Sequence, residues 1–189
     1  MINEGALRIT ASSDESLPAA WVRRFAGLIP AHGEVLDLAC GSGRHARFLA
    51  GLGYAVEAVD RNPQALAALH GVSRVSPRQA DLEVDPWPFA GRSFAGIVVT
   101  NYLYRARLDE LLACLANPGV LIYETFMVGN ERFGKPSNPD FLLRPQEMLG
   151  WLQGRDWRVV AFEEGEVDVP RPAVVQRLCA ARGALVGRL

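Results

Sequence analysis

Three aspartates stand where they could together hold a small ligand. Asp37 lies in the apolar run Val35-Leu36-Asp37-Leu38, Asp60 closes the run at 55–59, and Asp81 follows the run at 75–80. Between the first two lies Ala39-Cys40-Gly41-Ser42-Gly43-Arg44-His45, a glycine turn leading from a buried strand into a helix. Glycines let the backbone bend tightly and approach a ligand, and the start of the helix offers free N–H groups to an anion. Gly41-x-Gly43-x-x-Ala46 also fits the dinucleotide fingerprint, so the glycines alone leave the cofactor open. The carboxylates narrow it. Asp37, pointed into the turn, would repel a pyrophosphate and attract a cation at short range. Asp60 lies nineteen residues past Gly41, the separation at which an acidic side chain accepts both hydroxyls of a ribose. S-adenosylmethionine, with an ammonium, a sulfonium and only one carboxylate, suits this set better than NAD.

These side chains act together only if successive strands end at one edge of a sheet. The pattern predicts strands at Glu34–Leu38, 55–59, 75–80, Phe94–Thr100, 120–125, 157–163 and 174–181. Helices are expected at 44–52, from Asn62-Pro63 to about His70, at 105–116 and at 145–153. An earlier helix, capped by Ser16 with Pro18 in its first turn, would place Trp21, Phe25 and Leu28 on one face, after a loose arm at 1–13. The alternation implies an α/β fold: a doubly wound, Rossmann-like, seven-stranded sheet, mostly parallel, closed by an antiparallel C-terminal hairpin strand. Ligands of such sheets bind outside the carboxyl ends of the strands, where strand order reverses.

At 189 residues the chain reads as a single domain. Its net charge of −1, with both signs mixed, lacks the basic footprint of a nucleic-acid partner. No apolar run reaches membrane-spanning length, and the N-terminus lacks the regions of a signal peptide. Three scattered cysteines and three histidines (His32, His45, His70) without ligand spacing argue against disulfides and a metal site, and for a reducing, cytoplasmic setting. Lys135 is the only lysine in a chain otherwise biased to arginine.

From its first helix to its terminal hairpin the chain resembles the class I S-adenosylmethionine-dependent methyltransferases. The resemblance implies S-adenosylmethionine as cofactor, bound by Asp37, Ala39, Gly41, Gly43, Asp60, Arg61, Asp81, Leu82 and Asn101. Gly41 and Gly43 would line the methionine portion, with Asp37 near its amino group and Asn101 beside it and the methyl group. Asp60 would hold the ribose, Arg61 or Asn62 would flank the adenine, and Asp81 with the Leu82 amide would read its edge. Thr100-Asn101-Tyr102-Leu103-Tyr104-Arg105 and Phe141-Leu142-Leu143-Arg144 are similar to the tellurite-resistance and small-molecule branch. Ala95, where aspartate is common, and His45, where a third glycine is common, depart from the pattern. Asn101-Tyr102-Leu103-Tyr104 also lacks the prolines of the Asn-Pro-Pro-Tyr motif used on flipped adenines or glutamine amides.

Methyl transfer is an in-line displacement that mainly needs orientation and exclusion of water. A soft anion or thiolate needs no base; a hydroxyl or amine does. Asn101, Tyr102, Tyr104 and Glu124 are the expected acceptor-side residues, with Glu124 either a base or the partner of an arginine. The long loop at 126–144, with Arg132, Phe133, Lys135 and Arg144, is the expected substrate loop for a small anionic or aromatic acceptor. A non-catalytic S-adenosylmethionine-binding protein and an NAD-dependent oxidoreductase are the alternatives.

Overall fold

The computed structural model describes residues 17–184, so the expected arm at 1–13 and the Ser16 cap lie outside the described residues. Five parallel strands, β1 (Glu34–Leu38), β2 (Ala55–Asp60), β3 (Val75–Gln79), β4 (Phe94–Thr100) and β5 (Leu115–Phe126), are joined by an outer pair, β6 (Trp157–Val167) and β7 (Ala173–Arg182). The sheet order is β3-β2-β1-β4-β5-β7-β6, with β7 antiparallel to both of its neighbours. This is the doubly wound α/β sheet with a terminal hairpin that the sequence predicts. Strand order reverses between β1 and β4, which pair from Val35–Gly96 to Leu38–Val99. A reversal of that kind opens a crevice at the carboxyl edge.

Both faces of the central strands are covered, and the period of two decides which face each residue serves. Val35, Val98, Val120 and Ile122 enter one core, beneath α1 (Ala20–Phe25), α2 (Arg44–Gly51) and α3 (Pro63–Ala67). Leu36, Leu38, Ile97, Val99, Leu121 and Tyr123 enter the other, beneath α4 (Leu108–Ala113) and α5 (Glu147–Gly150). By the same alternation Asp37, Thr100 and Glu124 face the α1–α3 side.

The helices are shorter than their apolar spacing predicts, for local reasons. The first begins at Ala20 with Ala19 as its cap, leaving Pro18 outside. The segment expected at 105–116 is a 3-10 turn (Arg105–Arg107) followed by α4. The sheet captures the chain beyond it: Phe94 N–H donates to Cys114 O at 2.8 Å, and Leu115 pairs with Phe94. Asn117-Pro118-Gly119 then lies within β5, where the register shifts between Phe94 and Gly96. The helix expected at 145–153 shrinks to α5, since Gln146 adopts φ 57° and the backbone N–H groups of Arg144 and Gln146 are taken by Glu147 and Glu164.

Candidate active site

Beyond β1 the chain turns through Ala39 (φ 54°), Gly41 (φ 56°) and Gly43 (φ 77°) before α2 begins. Asp60, ending the neighbouring β2, fastens this turn. Its Oδ2 accepts the Gly41 N–H at 2.8 Å and its Oδ1 accepts the Asn62 N–H at 2.9 Å. Each oxygen retains a lone pair for a further donor. The two glycines differ in role. A Cβ on Gly41 would meet nothing within 4 Å, whereas one on Gly43 would lie 2.4 Å from Leu69 Cδ2. Gly41 borders open space, whereas Gly43 is closely packed against Leu69. Asp37 sits behind the turn, 1% exposed, and burial pushes its carboxyl up to about 7 against the pull of the Ala46 N–H. Its Oδ2 has no partner.

Two cavities lie near the Asp60–Gly41 link, one beside Arg61 and Asn62 and the other at Gly41. One, about 650 Å³ and open to solvent, is bordered by Arg61, Asn62, Gln79, Asp81 and Asp85. Asp81 Oδ1 accepts the Glu83 N–H at 3.0 Å, and the Asp81 N–H donates to Asp85 Oδ2 at 2.8 Å. The Leu82 side chain turns inward to the core beneath α4. The other cavity, about 440 Å³, has Ala39, Gly41, Asn101 and Glu124 in its wall. Asn101 takes φ 55°, and its N–H donates to Glu124 O at 2.9 Å. Carboxylates on strand ends beside an open glycine turn suit a hydroxyl-bearing, cationic ligand and oppose a pyrophosphate.

The sequence reading missed the part His45 plays. This side chain, 1% exposed, accepts the Ala19 N–H on Nε2 at 3.1 Å, and its Nδ1 lies 3.4 Å from Thr100 Oγ1. Nε2 accepts, so the ring proton sits on Nδ1. His45 thus binds the segment before α1 to α2 and to the end of β4, all of which border the 440 Å³ cavity. Burial, with Arg44 adding to it, lowers its pKa to about 3.

These two buried groups give opposite pH dependences. Below pH 6.5 the unfolded chain protonates His45 while the folded chain does not until about 3, so this contribution to stability is lost as pH falls through that window. Asp37 remains protonated in the folded chain up to about 7 but ionises above 3.8 when unfolded, so its contribution is lost as pH rises. The slopes oppose each other between 3.8 and 6.5. In urea denaturation, His45→Gln should gain on the wild type by up to about 1.4 kcal/mol for each pH unit of acidification in this range. A gap that stays constant with pH would show that His45 titrates alike in both states.

The acceptor-side residues separate. Glu124 Oε2 accepts from Arg177 Nε at 2.5 Å, and Arg177 Nη1 lies 3.5 Å from Glu163. Strand register sets Glu124, Arg177 and Glu163 in one row across β5, β7 and β6, so of the two expected roles for Glu124 the structure supplies the arginine partner. Tyr102 and Tyr104 do not line the cavity. They pack with Leu38, Leu82 and Trp87 in a small apolar hollow, where Tyr104 OH donates to Glu83 O at 3.3 Å. The loop at 126–144 is also elsewhere, apart from Phe126. Along it Val128 N–H donates to Leu143 O and Leu143 N–H donates to Phe126 O, and Asn130 accepts the Val174 N–H at 3.1 Å while donating to Pro136 O. Arg132 pairs with Glu166, while Phe133 and Lys135 are exposed at the surface. The wall comes instead from the segment around Pro18 to Arg23 and from the tip of the β6–β7 hairpin, Val167 to Ala173. The run Val169-Pro170-Arg171-Pro172 between two strands was the available signal for that tip.

Among the described residues there is no group of three or more His, Cys, Asp or Glu able to hold a metal, and no helix long and apolar enough to cross a membrane.

Residues 35–118 match the model of a methyltransferase domain family. No curated protein matches the chain. Among solved structures, TehB from Haemophilus influenzae is similar at 20% identity and TM-score 0.70, over 88% of this chain and 63% of its own length. A TehB-like S-adenosylmethionine-dependent methyltransferase from Corynebacterium glutamicum is similar at 17% identity and TM-score 0.60, over 87% of each chain. Coclaurine N-methyltransferase, bound to N-methylheliamine and S-adenosylhomocysteine, is similar at 17% identity and TM-score 0.60, over 77% of this chain and 49% of its own. At such identities the likeness is one of fold. The chain shares the fold of solved S-adenosylmethionine-dependent methyltransferases, and its residues 35–118 carry the match to a methyltransferase domain. Another similar structure, the glycopeptide N-methyltransferase MtfA at 18% identity and TM-score 0.60, is complexed with S-adenosylhomocysteine, over 85% of this chain and 88% of its own.

Proposed function

We propose that this chain transfers a methyl group from S-adenosylmethionine to a small-molecule acceptor in the cytoplasm. The observation that carries the reading is the Asp60–Gly41 link, with one cavity at Gly41 and another beside Arg61 and Asn62. Asp60 would receive the ribose hydroxyls, with Arg61 and Asp81 toward the adenine, and Ala39, Gly41 and Asn101 toward the methionine portion. The unpartnered Asp37 oxygen behind the turn is left to accept a hydrogen bond, which an ammonium group could donate. When bound, S-adenosylmethionine supplies an electrophilic methyl whose leaving group is a neutral thioether.

The protein's own work is to hold the acceptor in line and to exclude water. No group described in the cavity wall is free to take a proton. Glu124 is held by Arg177, both nitrogens of His45 are engaged, and burial pushes the Cys40 thiol well above its usual range. Such a wall suits an acceptor that arrives without a proton to lose. Glu124→Gln should therefore lower stability by about 1–2 kcal/mol in chemical denaturation, through loss of a charged hydrogen bond. It should leave the pH profile of turnover unshifted; loss of the profile's acidic limb would make Glu124 the base.

The reading as a whole is tested by thermal shift. S-adenosylhomocysteine should raise the melting temperature and NAD should not, since only a ligand of the native state stabilises it. Stabilisation by NAD alone would overturn the assignment.

A further inference from the structure

Most arginines of the described residues have structural partners. Arg78 and Arg92 pair with Glu57, Arg105 with Glu147, Arg132 with Glu166 and Arg177 with Glu124. Arg23, on α1, and Arg171, at the tip of the β6–β7 hairpin, have no side-chain partner among the described residues. Both border the 440 Å³ cavity. Beside them the wall carries an apolar patch: Leu17 is 52% and Val169 is 69% exposed, with Phe126 and Val175 deeper, while Thr100, Asn101 and Glu124 make another part of the wall polar. Two guanidinium groups without counter-ions among the described residues, beside that apolar patch, suit a ligand that is anionic at one end and apolar at the other. A guanidinium meets a carboxylate with two parallel donors, which fixes its orientation as well as its charge. The Glu124–Arg177 pair is internally balanced and does not compete for that group.

We propose that this cavity binds a small organic carboxylate with an apolar body, its carboxylate paired with Arg23 and Arg171. The proposal rests on the methyl-transfer reading and gives the acceptor its class. It moves acceptor recognition from the loop at 126–144 to α1 and the hairpin tip.

The test is calorimetric titration of the protein saturated with S-adenosylhomocysteine. The probes are phenylacetate and hexanoate, each against its uncharged amide, with sulfate as a bare anion. The carboxylates should bind about tenfold more tightly than their amides. Arg23→Gln and Arg171→Gln should each remove most of that advantage, and Arg171→Lys should retain part of it. Binding of the amides and of S-adenosylhomocysteine should stay unchanged in all three variants. Equal binding of acid and amide would overturn the proposal, as would sulfate competing as well as the carboxylates. Weakened S-adenosylhomocysteine binding in the arginine variants would also overturn it, by assigning both guanidinium groups to the cofactor. If the wild type fails to bind S-adenosylhomocysteine, the methyl-transfer reading falls by itself. The comparison of acid with amide, repeated on the protein alone, still decides the anion site.

Discussion

Replacing Asp60 by alanine is expected to raise the dissociation constant for S-adenosylhomocysteine about a hundredfold while the chain stays folded. A carboxylate that accepts two ribose hydroxyls makes two charge-assisted hydrogen bonds, each contributing about 1.5–3 kcal/mol. Loss of both removes about 3 kcal/mol, which is about a hundredfold in affinity. The same substitution releases the N–H groups of Gly41 and Asn62, so the turn also loses its fastening. Asp60 is only partly buried, and water can replace those two bonds, so the stability lost should stay near 1 kcal/mol, as for a helix cap. Calorimetric titration and a urea midpoint, measured on the same preparation, separate the two effects. An unchanged affinity would remove Asp60 from the ribose site, and a collapsed midpoint would make its role structural.

Gly43→Ala should be the most destabilising single change in the glycine turn. Alanine at φ 77° meets a steric penalty of about 1–2 kcal/mol. Its methyl would also lie 2.4 Å from Leu69, a fully buried side chain that must shift, and overpacking of that kind costs about 1–3 kcal/mol. Together these approach about 3 kcal/mol, or about 10 °C in Tm for a domain of this size. Gly41→Ala provides the contrast. It has a similar φ of 56° but open space around the added carbon, so it should lose only the conformational part. Its methyl would project into the room a ligand needs, and S-adenosylhomocysteine binding should weaken in that variant. Affinity should hold in Gly43→Ala at a temperature where it remains folded. Equal stability of the two variants would contradict the packing role given to Gly43.

How far the fold could be read depended on whether a segment's neighbours agreed with its own pattern. The predicted bounds of β1 and β4 are those observed, because both strands are buried on both faces and their apolar runs are continuous. Helix ends were overextended wherever the sheet drew the chain away: Leu108, Leu111, Leu112 and Leu115 share a helical spacing, yet Leu115 pairs with Phe94. The gathering of Asp37, Asp60 and Asp81 toward one edge was legible because they stand at or just beyond strand ends. The wall of the 440 Å³ cavity was not. Its pairing of Glu124 with Arg177 spans fifty-three residues and depends on hairpin register, which neither residue reveals alone. His45 went unread for a similar reason. Its partners, Ala19 and Thr100, become neighbours only once α1 is packed on the sheet.

The placement of β7 between β5 and β6 has a kinetic consequence. As the chain emerges from the ribosome, β6 appears first but has no strand to pair with, because its place beside β5 is taken by a segment not yet made. The first five strands can assemble in order, while β6 waits with its amides unpaired until β7 arrives and joins both neighbours at once. Completion of the sheet is therefore a late event involving contacts distant in sequence, the kind that folds slowly and exposes strand edges meanwhile. Until then Glu124 has no counter-ion and the hairpin tip has no shape, so the wall of the 440 Å³ cavity is completed after the glycine turn.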